Sequence, residues 1–205
     1  MRYINLKQQL QEFTIFSIAD IMKIDANFHR RRLNEWQDKN YIKKVVKGYY
    51  IFSDLKLNES ALFEIANRIY NPSYVSFEAA ISYYGLIPEA AYGITSVSTR
   101  RTYRFRTTIA EFSYRTLTAR LFFGYNIIRY NGKAFKIASP EKAILDYLYL
   151  HEDIKSGNDY AAMRINKGAF FNTINRNRLK VFLKKFGHKT LTKRVNSFLE
   201  FIKYD

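Results

Sequence analysis

The chain has 205 residues, 47% apolar and 17% aromatic, enough for a packed core of one large domain or two small ones. It has no cysteine, which excludes disulfides and cysteine-ligated zinc, and no apolar run near the roughly 20 residues of a membrane span. With no apolar leader near Met1, a cytoplasmic protein is expected.

The net charge of +16 is unevenly placed. Residues 1–52 hold 10 basic and 5 acidic side chains, residues 100–136 hold 9 and 1, and residues 164–203 hold 11 and 1. The segments between are acidic. Such one-sided blocks imply a polyanionic partner, or an acidic protein surface, met at more than one place.

In chain order, Ile4 to Phe13 reads as a first helix with Leu6, Leu10 and Phe13 inward. Ser17 caps a second short helix striped by Ile18, Ile21, Met22 and Ile24. Asp25 ends it, and a third helix is expected from Ala26 to Lys39. Its buried face is His29, Leu33 and Trp36, with Phe28 beside them. The opposite face carries Asn27, Arg30, Arg31 and Asn34, side chains able to bond base edges or phosphates. Asn40 breaks the helix. Tyr41 to Val46 and Tyr49 to Phe52 then form a ribbon turning at Lys47 and Gly48, with Lys43, Lys44 and Lys47 projecting. Two short helices followed by a basic ribbon is the order of a winged helix-turn-helix, which makes double-stranded DNA the first partner to consider.

Ser53 to Glu59 is polar enough for a linker, dividing a DNA-binding unit at 1–56 from a second domain at 57–205. Helices are expected over Ser60 to Tyr70 and Phe77 to Tyr84, with Tyr74 and Val75 extended between them. From Ile94 to Ile137 the pattern alternates with period two, predicting an antiparallel sheet with one charged face and a hairpin at Asn131 and Gly132. Ser139 and Pro140 open a helix whose buried stripe is Ala143, Ile144, Tyr147 and Leu148. Glu141 there suits the helix dipole, and Asp146 reads as a surface charge. Two helices close the chain, one lined by Leu179, Phe182, Leu183 and Phe186, the other by Leu191, Val195, Phe198, Leu199 and Ile202. Their outer faces carry Arg176, Arg178, Lys180, Lys184, Lys185, Lys189, Lys193 and Arg194. With Arg100, Arg101, Arg104 and Arg106, the set Lys184, Lys185, Lys193 and Arg194 is a candidate second basic surface. The expected class is α+β, an N-terminal winged helix-turn-helix joined to a mixed domain with an antiparallel sheet and C-terminal helices.

No catalytic constellation is legible. His29, His151 and His188 stand in separate elements without metal-ligand spacing, and the glycines fall at turns and caps. A binding protein without cofactor or metal is expected.

Several motifs taken together carry a family resemblance. They are the run from Phe16 through Lys47, Gly48, Tyr49 and Tyr50; Tyr74 to Ala80 (YVSFEAA); Tyr84 to Pro88 (YGLIP); Ile94 to Arg101 (ITSVSTRR); and Ala138 to Asp146 (ASPEKAILD). In order and spacing the chain resembles AbiEi-type antitoxins, transcriptional regulators encoded beside AbiEii-type nucleotidyltransferase toxins. The resemblance implies a repressor of its own operon whose winged helix binds promoter repeats. It also implies a second domain needed to counter the toxin. The competing readings are a stand-alone winged-helix regulator with a ligand-sensing or dimerising C-terminal domain, and a nucleic-acid-processing enzyme with the sheet and the terminal helices as a substrate platform, where the alternating aromatics and arginines of Tyr103 to Arg106 could stack bases.

Overall fold

A computed structural model describes residues 1–88 and 93–204. The chain is α+β, with a three-stranded antiparallel sheet, a six-stranded mixed sheet and helices at its carboxy-terminal end.

Residues 1–52 run α1 (Tyr3–Leu10), β1 (Phe16–Ser17), α2 (Ile18–Ile24), α3 (Arg31–Asp38), β2 (Ile42–Val46) and β3 (Tyr49–Phe52). The strands pair in the order β1-β3-β2, all antiparallel. A small core of Leu6, Leu10, Phe16, Ile21, Phe28, Leu33, Trp36, Ile42, Tyr50 and Phe52 holds the helices on one face of this sheet. The other face presents Val45 and Ile51 to the main core of the molecule, which Ile15 also joins. The small sheet is therefore shared between two cores, and residues on either side of the expected 56/57 boundary pack across it.

Three details depart from the sequence reading here. α1 stops at Leu10, so Phe13 lies outside the small core, 38% exposed, with the Arg68 guanidinium 5.6 Å from its ring centroid. Met22 and Ile24 are exposed, because at about 100° per residue the stripe of a two-turn helix rotates away from the core within its own length. α3 begins at Arg31 instead of Ala26. Asp25 takes the Asn27 backbone N–H on its carboxylate at 3.1 Å and the Phe28 N–H on its carbonyl at 3.0 Å, closing a turn where helix was expected. Phe28 then takes the inward position assigned to His29, packing on Trp36 with ring centroids 5.5 Å apart, and His29 is exposed.

The rest of the chain contains α4 (Glu59–Ile69), β4 (Ser73–Val75), α5 (Phe77–Tyr83), β5 (Ile94–Ser98), β6 (Tyr103–Arg106), β7 (Glu111–Thr116), a 3-10 turn at Ala119–Leu121, β8 (Tyr125–Tyr130), β9 (Lys133–Ala138) and α6 (Pro140–Leu150). It closes with α7 (Gly157–Ala162), α8 (Lys167–Thr173), α9 (Arg176–Phe186) and α10 (Lys189–Tyr204). The short helices α7 and α8 were not legible in the sequence.

The large sheet has the order β6-β7-β5-β4-β9-β8 and is mixed, correcting the antiparallel expectation. β5 runs parallel to β7 and β4 parallel to β9, while β4–β5, β6–β7 and β8–β9 are antiparallel. Alternation reports which side of a strand is buried, not the direction of its neighbour. The Asn131-Gly132 hairpin forms as expected, with both residues at positive φ and Tyr130 opposite Lys133. Tyr114 sends its hydroxyl to the Ala66 carbonyl on α4 at 2.7 Å, whereas Tyr74 reaches Asp146 on α6 at 3.0 Å, so α4 and α6 cover opposite faces.

Glu141 and Asp146 are not surface charges. Glu141 is 1% exposed and Lys142 and Asp146 are fully buried. The Lys142 ammonium donates to Asp146 and, at 2.9 Å, to the Tyr74 hydroxyl; Asp146 also accepts from Tyr74 at 3.0 Å and Ser76 at 2.9 Å. Glu141 accepts the Asn175 backbone N–H at 2.9 Å, tying α6 to the start of α9. Burial pushes the Asp146 carboxyl up and the Lys142 ammonium down, and their mutual attraction opposes both shifts.

Candidate nucleic-acid interface

The exposed polar set of the amino-terminal unit is built on α2, the turn after it, α3 and the β2–β3 ribbon. α2 is fixed by a reciprocal cap: the Asp20 N–H donates to Ser17 Oγ at 3.2 Å, and the Ser17 N–H donates to Asp20 Oδ2 at 2.8 Å. Burial raises the Asp20 carboxyl, but the Ser17 backbone and hydroxyl donors and the Arg68 guanidinium outweigh it and hold the group below the usual carboxylate range.

α3 buries Leu33 and Trp36. That rotation leaves Arg31 and Asn34 exposed, and Arg30, at helical dihedrals in the cap position, is exposed just ahead of them. Glu35 and Asp38 are also exposed on the second half of the helix, so its positive charge is concentrated at the amino-terminal end. Asn27, expected on the helix, sits in the preceding turn; it is exposed, but off the helical face that carries Arg31 and Asn34. Burial raises the Tyr50 hydroxyl on β3, and the positive charge of Arg30 opposes that shift.

On the ribbon, Lys43, Lys44 and Lys47 are exposed. β2 is an edge strand; by alternation Lys43 shares a face with Ile51 and Lys44 with Tyr50, and Val45, on the Lys43 face beside a bulge between Lys44 and Val46, packs in the main core. Gly48, at φ +85°, lets the two-residue turn close and puts Lys47 at its tip. Among the described residues none of Arg30, Arg31, Lys43, Lys44 and Lys47 is in an ion pair.

The candidate second surface is not one surface. Arg100 stacks over Tyr70 at 4.4 Å, Arg101 stands 5.9 Å from the Tyr103 centroid, and Arg104 and Arg106 both pair with Glu111, all at the β6 edge. α9 stands by the start of β8 instead, where Phe123 packs on Phe182 and Phe186 at 5.3 and 5.9 Å. β6 and β8 are opposite edges of the sheet, five inter-strand spacings or about 24 Å apart. Lys184, Lys185 and Lys193 are exposed, Lys185 lying 4.0 Å over the Phe123 ring. Arg194 is a correction: it is 8% exposed and donates to the His151 carbonyl at 2.8 Å, joining α10 to the end of α6.

The two aromatics of β6 share one face of the sheet, Phe105 partly buried and Tyr103 42% exposed. Tyr103 and Phe105 pack toward Tyr70 and Tyr114 on the α4 side of the sheet, leaving the alternate arginines on the other. Among the described residues no group of three His, Cys, Asp or Glu side chains could hold a metal ion. The buried Lys142–Asp146 pair escaped the sequence reading, although its i, i+4 spacing inside the apolar run of α6 was the available signal.

Comparison with protein-family models and with curated proteins gave no match to this chain.

Proposed function

We propose that this protein is a sequence-reading DNA-binding repressor of its own operon. The supporting observation is the order α1-β1-α2-α3-β2-β3 with β1-β3-β2 pairing, which reads as a winged helix whose third helix holds Arg30, Arg31 and Asn34 outward. The amino-terminal residues of such a helix contact base edges, and the ribbon reaches the flanking phosphates or minor groove. Lys43, Lys44 and Lys47 are the ribbon's contribution. No helix among the described residues is long and apolar enough to cross a membrane. A cytoplasmic location is part of the proposal, because the proposed target is the cell's own DNA.

The resemblance to AbiEi-type antitoxins extends the proposal: the second domain counters a nucleotidyltransferase-type toxin encoded beside it. Binding, not catalysis, is the proposed activity of both parts. Footprinting on the DNA upstream of its own gene tests the first claim; a protected repeat is the expected result. Co-expression with the neighbouring gene tests the second, with rescue of growth expected. A protein that protects its promoter and rescues nothing is instead a stand-alone regulator.

A further inference from the structure

β8 ends the strand order of the large sheet and pairs there only with β9, so its other side is an open edge. The Asn131-Gly132 hairpin sets which groups lie on that edge. In a two-residue hairpin the closing pair, here Tyr130 and Lys133, exchanges both backbone hydrogen bonds, and so does every second pair after it. Ile128 and Asn126 are therefore bonded to β9, whereas the N–H and C=O groups of Tyr125, Ile127 and Arg129 point outward. Two bonds agree with this phase. The Ser139 N–H donates to the Gly124 carbonyl at 2.8 Å, and the Lys136 N–H, opposite Ile127, turns away from β8 to Asn67 Oδ1 at 2.5 Å. Among the described residues, no backbone hydrogen bond from outside the sheet reaches Tyr125, Ile127 or Arg129.

The charge along this edge has one sign. Alternation puts Tyr125, Ile127 and Arg129 on the α6 side of the sheet with Lys136, whose ammonium lies 5.8 Å from the Tyr125 ring centroid. Ile127 is 61% exposed, and Arg129 is exposed and in no ion pair among the described residues. β8, β9 and α9 contain no Asp or Glu, and Lys185 of α9 stands over Phe123 just before β8 begins. The opposite edge differs: β6 is shorter, and its Arg104 and Arg106 are both paired with Glu111.

An open strand edge takes another extended chain by backbone pairing, with alternate side chains setting specificity. A nucleic acid offers no matching row of peptide groups. We propose that the β8 edge binds an extended acidic segment of a partner protein as a seventh strand. In antiparallel pairing, the residues opposite Ile127 and Arg129 share their face, which calls for an apolar residue with Asp or Glu two positions before it. A second copy of this chain is the poorer occupant. β8 paired with itself about Ile127 sets Arg129 against Tyr125, supplies no acid, and brings together two chains of net charge +16.

The probe is a fluorescein-labelled, end-capped peptide TETITET, read by anisotropy with the full chain at physiological salt. Saturable binding is expected, with the lysine version TKTITKT about tenfold weaker or more. N-methylation of the Glu and Ile amides, which face β8, should abolish binding, whereas an equal number of N-methyl groups on the Thr amides should leave it within about threefold. Ile127→Pro removes the central outward N–H, a change that an edge strand tolerates, and should weaken binding about tenfold or more. Arg129→Glu, at an exposed position, should weaken TETITET about tenfold and strengthen TKTITKT, and it carries the test if Ile127→Pro does not fold. No saturable binding, equal binding of the two methylated peptides, or affinity unmoved by both substitutions overturns the proposal. So does a dimer of the chain alone, seen by sedimentation and lost in Ile127→Pro, which would give the edge to a second copy.

Discussion

Arg68, on α4, donates to Asp20 Oδ2 on α2 at 2.7 Å, so one carboxylate both caps the helix that precedes α3 and ties it to the second part of the chain. Asp20→Asn removes the ion pair and weakens the cap, and should cost about 1 kcal/mol at neutral pH. The sign with pH follows from the depressed carboxyl. Its stabilisation is present above the ordinary carboxylate value and is lost as pH falls through the lowered one. Wild type should therefore lose more stability than Asp20→Asn between about pH 5 and about pH 3, read by urea unfolding.

If α3 reads bases as proposed, Arg31→Ala should lower promoter affinity by about 1–3 kcal/mol while barely changing affinity for unrelated DNA. Lys44→Ala should weaken both equally and reduce the salt slope by about 0.9. Asn27→Ala should leave discrimination unchanged, because Asn27 is in the turn and not on the face of α3. Equal losses for Arg31→Ala and Lys44→Ala on both DNAs would remove base reading from α3.

Much of this frame was legible because its signals are local. Ser17, Ser139 and the Asn131-Gly132 pair mark caps and a turn within a few residues of themselves, and each is found in place. What failed was decided at a distance. The start of α3 depends on Asp25 closing a turn and on Phe28 finding Trp36. The parallel pairing of β5 with β7 depends on β6 lying outside both, which no alternation in residues 94–116 encodes. Glu141, Asp146 and Arg194 looked solvated because charged residues usually are, and only the fold supplies the buried partners that hold them.

The buried pair on α6 should be costly to break and cheap to replace. Lys142→Met leaves the Asp146 carboxylate buried without its cation and should cost about 3–5 kcal/mol, whereas Lys142→Met with Asp146→Leu should recover most of it. With Lys142 gone, burial still raises the Asp146 carboxyl, and a raised group loses stability as pH rises. Lys142→Met should thus gain stability relative to wild type on going from about pH 7 to about pH 5.

On the terminal helices, neutralising Lys184, Lys185 and Lys193 to Gln should change stability by no more than about 0.5 kcal/mol, since all three are exposed. The same triple variant should lose polyanion affinity or toxin neutralisation; loss of neither would make this face only a solvated one. Arg194→Gln should instead destabilise by about 1–3 kcal/mol, because it strips a charged donor from the buried junction with His151.

The central claim is best tested by measuring binding of the purified protein to its own upstream DNA against a scrambled duplex of equal length, at physiological salt. A preference of about a hundredfold or more is predicted; specific binding typically exceeds non-specific binding by about 10³–10⁷. Equal, weak binding to both would contradict the account: the basic blocks would then serve another polyanion or a protein, and the amino-terminal unit would be an interaction module.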